Sequence, residues 1–253
     1  MLRHIVAIVS GGSSGLGEAV ARRIVSAGGR VVISDLNPAG AALAHELGAH
    51  AAFARADCTS EADVAGALDL AESTFGEPVS VAVNTAGILH AAKTVSRKGE
   101  AHPLEPFAKV LQVNVTGSFN VARLAAQRMA ARTPDADGQR GCVINTASIA
   151  AFDGQAGQIA YAASKGAIVG MCLPMARDLA PLGIRVCTIA PGVFETPMMA
   201  AAPDKLRESL AASIPFPSRF GKPAEFASFC ETIILNPYLN GEVVRLDGAV
   251  RMT

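Results

Sequence analysis

The chain has 253 residues, half of them hydrophobic and 17% charged, which is enough apolar material for a folded core and excludes an intrinsically disordered chain. Lys plus Arg equals Asp plus Glu at 22 each, so there is no general electrostatic attraction for nucleic acid or anionic lipid. No apolar run approaches the ~20 residues needed to cross a bilayer, and Gly and Pro fall well short of low complexity.

The N-terminus, MLRHIVAIVSGG, enters a strand and a glycine turn at once, with neither the apolar core of a signal peptide nor the Arg/Ser richness of a transit peptide. The apolar run 5–9 reads as the first strand. Segment 15–28 has helical periodicity, with Leu16, Val20, Ile24 and Val25 on one side and Glu18, Arg22 and Arg23 on the other. Strand 31–34, an Ala-rich helix 39–48, a weaker strand 51–54, a helix 61–75 capped by Thr59 or Ser60, and strand 79–83 follow. The connection 88–103 is long for an α/β loop and carries Lys93, Arg97 and Lys98. Helices are expected at 104–115 and 118–132, then a polar stretch, strand 142–146 and the longest helix, 159–180. Pro174 inside that helix predicts a bend or an earlier end. Strand 184–190, a Pro/Met/Phe-rich segment 192–222 with one short helix near 204–212, a helix from Pro223 to about Asn236 and strand 242–246 complete the chain. The five cysteines are scattered and never spaced as CxxC, which suggests reduced thiols in a cytoplasmic setting.

Apolar strands alternating with helices imply an α/β fold whose parallel sheet is covered on both faces. About seven strands without a composition break predict one domain over 1–253. A (β/α)₈ barrel has similar length, but it needs eight strands and places its phosphate site late. Here a glycine-rich turn follows the first strand, which favours a doubly wound Rossmann sheet. In that turn, Gly11 permits a tight bend, Gly15 lets backbone approach a pyrophosphate, and Gly17 lets the helix pack closely on the sheet. Asp35 ends the second strand eighteen residues after Gly17, where a carboxylate accepts hydrogen bonds from ribose hydroxyls and repels a 2′-phosphate. With no basic residue among Ser13, Ser14, Leu36 and Asn37, the expected cofactor is NAD. Asp57, past the third strand, either reaches an adenine amino group or forms a turn. The same turn also fits the G-x-S-x-G elbow of an α/β-hydrolase, but that chemistry needs a late histidine, and His4, His45, His50, His90 and His102 are all early. No histidine pair has metal-ligand spacing, so no metal is expected.

Tyr161 and Lys165 lie four apart on the long helix and so share a face. An ammonium beside a phenol lowers a pKa that starts near ~10, and a cationic nicotinamide lowers it further, which gives a general base near neutral pH. Ser148, just past strand 142–146, is placed to hydrogen-bond a substrate oxygen, and Asn114 to hold a water linking Lys165 to solvent.

The turn SGGSSGLG, Asp35, Asp57, Asn84-Thr85-Ala86-Gly87, Asn114, Ser148, Tyr161-x-x-x-Lys165 and Pro191-Gly192 resemble the short-chain dehydrogenases/reductases over essentially the whole chain. Ser10 stands for the usual threonine and Thr85 for the second asparagine of NNAG; both keep a small polar group. The stretches INTASIAAFDGQAGQIAYAASKGAIVGM, ARDLAPLGIRV, TIAPGVF, IPFPSRFGKPAEFA and NPYLNGEVVRLDGAVRM are similar to the type II 3-hydroxyacyl-CoA dehydrogenases, also described as type 10 17β-hydroxysteroid dehydrogenases. That resemblance implies NAD-dependent oxidation of a 3-hydroxyacyl-CoA in fatty-acid metabolism, and a homotetramer. It implies catalytic roles for Ser148, Tyr161, Lys165 and Asn114. It implies cofactor contacts from Gly11, Ser14, Gly15, Leu16, Gly17, Asp35, Asp57, Cys58 (backbone only), Asn84, Thr85, Ala86, Gly87, Tyr161, Lys165, Pro191, Gly192, Phe194 and Thr196.

The apolar residues Phe194, Met198, Met199, Leu206, Phe216 and Phe220 either line an acyl or steroid site or pack on the core. Gln155 and Gln158, with Ser148 and Tyr161, are candidates for holding a thioester carbonyl. Lys93, Arg97 and Lys98 either meet CoA phosphates or form a solvated loop. The Ala-rich helices at 118–132 and 159–180 correspond to a dimer interface in the family. A hydroxysteroid or other secondary-alcohol dehydrogenase, and a non-catalytic nucleotide-binding scaffold, remain the competing readings.

Overall fold

Five short apolar runs without internal polar alternation can only be strands buried on both faces, and the computed structural model places them side by side. It describes residues 2–200 and 203–252, apart from the side chains of Met198 and Leu206. Among these residues the strands are β1 (Val6–Ser10), β2 (Arg30–Asp35), β3 (Ala51–Arg55), β4 (Val81–Asn84), β5 (Gly141–Thr146), β6 (Ile184–Pro191) and β7 (Val243–Leu246). All pairings are parallel, in the order β3-β2-β1-β4-β5-β6-β7. The order reverses between β1 and β4, so a crevice opens beyond their carboxyl ends, the usual ligand position in such sheets.

Helices α1 (Gly15–Ser26), α2 (Ala39–Leu47) and α9 (Pro223–Leu235) cover one face; α3 (Glu61–Phe75), α5 (Ser118–Ala130) and α6 (Ile159–Leu179) cover the other. Val20, Ile24, Phe226 and Ile233 close the first layer, and Val64, Leu68, Val121, Met129 and Cys172 the second. The Ser60 hydroxyl accepts from Asp63 N–H and so caps α3, and Pro223 opens α9 at its first turn.

Several local expectations change. The helices expected at 104–115 and 118–132 are one continuous stretch: α4 (Leu104–Leu111) runs through a π-helical segment, Gln112–Gly117, into α5. Gly117 does not end a helix there. A Cβ on it would lie 2.5 Å from the Cys58 sulfur, so its role is close packing. Pro174 does not end α6, because the buried Cys172 and Ala176 hold the turns on either side of it to the sheet. By length and composition α6 is apolar enough to cross a membrane, which the sequence reading did not anticipate; here its Ile168, Cys172 and Ala176 are buried inside the fold. The connection 88–103 is an ordered hairpin: Val95 pairs with Ala101, and Gly99, with φ +80°, turns it. Segment 192–222 holds α7 (Pro197–Ala200) besides α8 (Asp204–Ala212).

The carboxyl ends of the central strands are stitched by buried amides. Ser10 Oγ donates to Asn84 Oδ1 at 3.0 Å, and Asn84 Nδ2 donates to Asn145 Oδ1 at 2.9 Å and to the Ser118 carbonyl at 3.1 Å. Both hydrogens of Asn84 Nδ2 are thereby used inside the fold. Asn84→Ala would leave these buried partners unsatisfied, at about 2–3 kcal/mol. Urea unfolding of the cofactor-free protein should show that loss; a change below about 0.5 kcal/mol would contradict the network.

Candidate active site

The first turn leaves β1 through Gly11, whose φ of +69° only glycine adopts freely, and its N–H donates to the Ser34 carbonyl at 2.9 Å. A Cβ on Gly11 would meet Ala86 N at 2.6 Å, and one on Gly17 would collide with the Gly11 carbonyl. Gly15, also left-handed with φ +54°, carries the chain into α1 beneath Thr196, whose Cγ2 lies 3.4 Å from where a Cβ would stand. Ser14 is the N-cap of α1, is exposed and makes no capping bond. The helix N-terminus therefore presents amides without a side-chain acceptor, a fit for a pyrophosphate.

Asp35 sits at the end of β2 with its carboxylate beside this turn. Its Oδ2 accepts from Ser13 N–H and its Oδ1 from Asn37 N–H, both at 3.0 Å. Asp57 Oδ1 accepts from Thr59 N–H and Oγ1, each at 2.8 Å, which makes it a turn residue as well as a candidate contact. The Cys58 thiol packs against Gly117, and burial pushes it up to about 11; its carbonyl accepts from Asn120. The packed thiol leaves only the backbone of Cys58 for a ligand. Thr85 Oγ1 donates to the Ser10 carbonyl at 2.6 Å and so holds the segment Thr85–Gly87 against the glycine turn. Leu16, in the first turn of α1, packs on the core. Pro191 ends β6 and is buried, and beyond it Gly192 N–H donates to the Leu246 carbonyl at 2.9 Å.

Two expected cofactor contacts need correction. The Asn84 side chain is wholly committed to the strand network above, so it positions the crevice floor and does not face it. The Phe194 ring is buried in the core, edge-to-face with Phe226 at 6.3 Å, which leaves only its backbone for a ligand. The rest of the apolar segment divides. Met199 packs on a small cluster of Ile149, Ile214, Phe220 and Val250, whereas Phe216 is 83% exposed; Met198 and Leu206 side chains lie outside the described residues.

Ser148 leaves β5 in extended conformation, and its Oγ accepts from Ala150 N–H at 3.1 Å in a short helical turn. Its side chain also hydrogen-bonds Tyr161. One turn further along α6, the buried Lys165 donates from Nζ to the Thr146 carbonyl at 2.8 Å and lies 5.7 Å from the Tyr161 ring centre. The structure thus brings these three residues together, but in the chain by itself burial shifts Tyr161 in the direction opposite to the one its spacing from Lys165 predicts. Burial pushes the phenol up, only partly opposed by the Ser148 bond, and burial pushes Lys165 down to about 8. Near neutral pH Lys165 still carries most of its charge, so the rise of the phenol reflects its own burial.

Asn114 is fully buried where the π-helical segment swells the helix. Its Oδ1 accepts from Ile88 N–H at 2.8 Å, while its Nδ2 donates to the Ile88 carbonyl and to Ser164 Oγ, both at 2.9 Å. Both amide hydrogens are in use, so its side chain clamps the loop after β4 to α6 and is not a free water ligand. Ser164 was missed by the sequence reading. It relays this clamp to the Tyr161 carbonyl at 2.7 Å, and its place beside Lys165 on a buried helix face was the available signal. A Cβ on Gly87 would stand 3.3 Å from Asn114 Oδ1 and 3.6 Å from Lys165 Nζ, so the clamp and the ammonium converge there. Gln158 Oε1 accepts from Gln155 N–H at 3.1 Å, which shapes the turn into α6; Gly157 accepts from Ala92, tying that turn to the hairpin. Lys93, Arg97 and Lys98 project exposed from the hairpin. The Ser13 hydroxyl, the nucleophile of the hydrolase reading, is buried and donates to the Asn37 carbonyl at 3.2 Å.

A family described as short chain dehydrogenase matches residues 5–207. The chain belongs to the short-chain dehydrogenase family. It is 57% identical over 253 residues to the 3-hydroxyacyl-CoA dehydrogenase type-2 of Homo sapiens, covering 99% of this chain and 97% of that protein. It is 53% identical over 254 residues to the protein of the same name from Drosophila melanogaster, covering 100% and 99%. Among solved structures, a 3-hydroxyacyl-CoA dehydrogenase type-2 from Mycobacterium avium superposes with a TM-score of 0.94 at 44% identity, over 99% of this chain and 98% of that one. A 3-ketoacyl-(acyl-carrier-protein) reductase from Brucella melitensis, complexed with NADH, gives 0.88 at 31%, over 98% and 99%. Membership accounts for the sheet and the site together: the dehydrogenase turn, the acidic residue closing β2 and the Ser–Tyr–Lys set all lie at the carboxyl edge.

Because Lys165 has a folded pKa below its unfolded one, its buried charge destabilises the fold fully below about pH 8, and that penalty fades as pH rises toward the unfolded value of ~10.5. The stability difference between Lys165→Met and the parent should therefore move in the parent's favour from pH 8 to 10. Chemical unfolding across that range checks it; a constant difference would contradict the burial argument.

Proposed function

We propose that this dehydrogenase interconverts a 3-hydroxyacyl-CoA and the 3-ketoacyl-CoA with NAD. The single observation that carries the substrate is the likeness, over nearly the full length of both chains, to proteins named 3-hydroxyacyl-CoA dehydrogenase type-2. The site supports the chemistry. The glycine turn, the amides of α1, Thr85 and the segment Ala86–Gly87 would hold the dinucleotide, and the Asp35 carboxylate would take the ribose hydroxyls and repel a 2′-phosphate. NAD supplies a hydride acceptor for the carbinol carbon and a positive charge near the reacting atoms. In its phenolate form Tyr161 takes the proton of the substrate hydroxyl, and in reduction it returns that proton to the ketone oxygen. Ser148, already bonded to Tyr161, orients the same oxygen. Lys165, held on the Thr146 carbonyl, would bind the nicotinamide ribose and stabilise the phenolate by its charge.

The exposed Lys93, Arg97 and Lys98 beside the hairpin cleft suit the phosphates of CoA. Exposed apolar residues on the outer helices, Phe119 on α5 with Ile159 and Leu173 on α6, support a homotetramer. The free thiols Cys58, Cys142, Cys172, Cys187 and Cys230 support a reduced, cytoplasmic setting.

The test is reduction of acetoacetyl-CoA with NADH or NADPH, beside a ketosteroid. NADH should outperform NADPH by about tenfold or more, as a repelled 2′-phosphate requires. Tyr161→Phe should lose about 10²-fold or more in turnover while still binding NADH. A ketosteroid reduced faster than acetoacetyl-CoA would shift the assignment to a hydroxysteroid dehydrogenase, and parental turnover in Tyr161→Phe would reject the mechanism.

A further inference from the structure

The opposite edge of the sheet, at the amino ends of β4, β5 and β6, carries a cavity of about 140 Å³, lined by three arginines, Arg132, Arg140 and Arg185, with Asp135 and Gln139. A water occupies about 30 Å³ of liquid, so this space admits several waters or one phosphate-sized ion. It lies away from Ser148, Tyr161 and Lys165, none of which lines it.

The charges around it do not cancel. Arg185 is 7% exposed, and its guanidinium donates to Gln139 Oε1, to the Leu239 carbonyl at 2.7 Å and to the Ile234 carbonyl at 3.0 Å. Among the described residues no carboxylate pairs with it, although buried charges normally have such a partner. Ile234 lies in the last turn of α9, whose C-terminal partial charge of about half a unit offsets only part of the guanidinium. Arg140 donates to the carbonyls of Arg132, at 2.9 Å, and Leu182, at 3.1 Å, likewise without a described carboxylate. Arg132 does pair with Glu77, but Glu77 is shared with Arg30. Asp135 is turned to its own loop: Oδ1 accepts from Asp137 and Gln139 N–H, and those bonds hold its carboxyl below the usual range. A guanidinium has five N–H groups, so Arg140 and Arg185 keep donors beyond those named.

We propose that this cavity is a binding site for a small oxyanion of the phosphate class. The anion would supply the counter-charge that Arg140 and Arg185 lack and would fix the turn 133–140 against β5 and β6. Guanidinium forks match the oxygens of such an anion, and a chain of zero net charge offers no diffuse attraction to imitate specific binding.

Calorimetric titration of inorganic phosphate into the NADH-saturated protein, at constant ionic strength, tests this with the dinucleotide site filled. Saturable one-to-one binding is expected. Arg140→Gln should weaken it by about tenfold or more, the loss of a charge-assisted bond, with unchanged acetoacetyl-CoA reduction. Arg140→Lys, which keeps the charge without the fork, should fall between the two and serves if Arg140→Gln folds poorly. The proposal is overturned if phosphate shows no saturable binding, if it binds only when NADH is absent, or if neither variant changes its affinity.

Discussion

Burial opposes charge on two neighbouring groups of the site. The ammonium of Lys165 and the phenol of Tyr161 share one turn of α6, out of water, and each is held toward its neutral form. The remaining polar arrangement of the site follows from that constraint. The Thr146 carbonyl gives Lys165 an acceptor, Ser148 gives Tyr161 a partner, and the Asn114–Ser164 pair keeps the turn of α6 that bears both in register with the loop after β4. In the chain by itself burial holds the phenol toward its neutral form, and a cation brought beside it by the dinucleotide would favour the phenolate. The coupling is useful to a dehydrogenase, because a phenolate without a hydride acceptor beside it has nothing to do.

The strand ends show how such a site is kept open. Three polar side chains at the tips of β1, β4 and β5, those of Ser10, Asn84 and Asn145, bond one another below the crevice, and Thr85 pins the next turn of chain to β1. Glycines at 11 and 17 then let backbone press on backbone where any side chain would collide. The cofactor crevice is thus bounded by groups already satisfied by the protein, while the amides of α1 and the edge of Asp35 face outward. Residues whose types suggested ligand contact divide along this line. Asn84, Asn114 and the ring of Phe194 belong to the scaffold, and Gly15, Asp35 and Thr196 stay at the rim.

Much of this was legible in the residues alone, and what was not has identifiable causes. Periodicity located the strands and most helices, because strands buried on both faces are continuous apolar runs and the helices are amphipathic. The glycine turn and the Tyr161–Lys165 spacing carried their meaning locally. Side-chain direction was not legible. Asn84 and Asn114 look alike in sequence whether they face a ligand or a carbonyl, and their partners, Ser10, Ser118, Asn145, Ile88 and Ser164, come from distant segments. The join of the two helices expected at 104–115 and 118–132 rests on Gly117 packing against Cys58, and Pro174 reads as a break until the packing on both sides is counted. Spacing reveals an ammonium beside Tyr161 but not the burial of the phenol, which pushes its pKa the other way.

The most direct measurement is the ionisation of Tyr161 itself. The chain has two tyrosines and no tryptophan, and Tyr238 is 97% exposed, so Tyr238→Phe leaves one phenol to follow by its near-ultraviolet absorbance. Without cofactor it should ionise above the usual value of about 10, and saturating NAD should bring it down well below that, toward neutral pH. A phenol that already ionises below about 10 without NAD, or one that NAD leaves unmoved, would contradict the account.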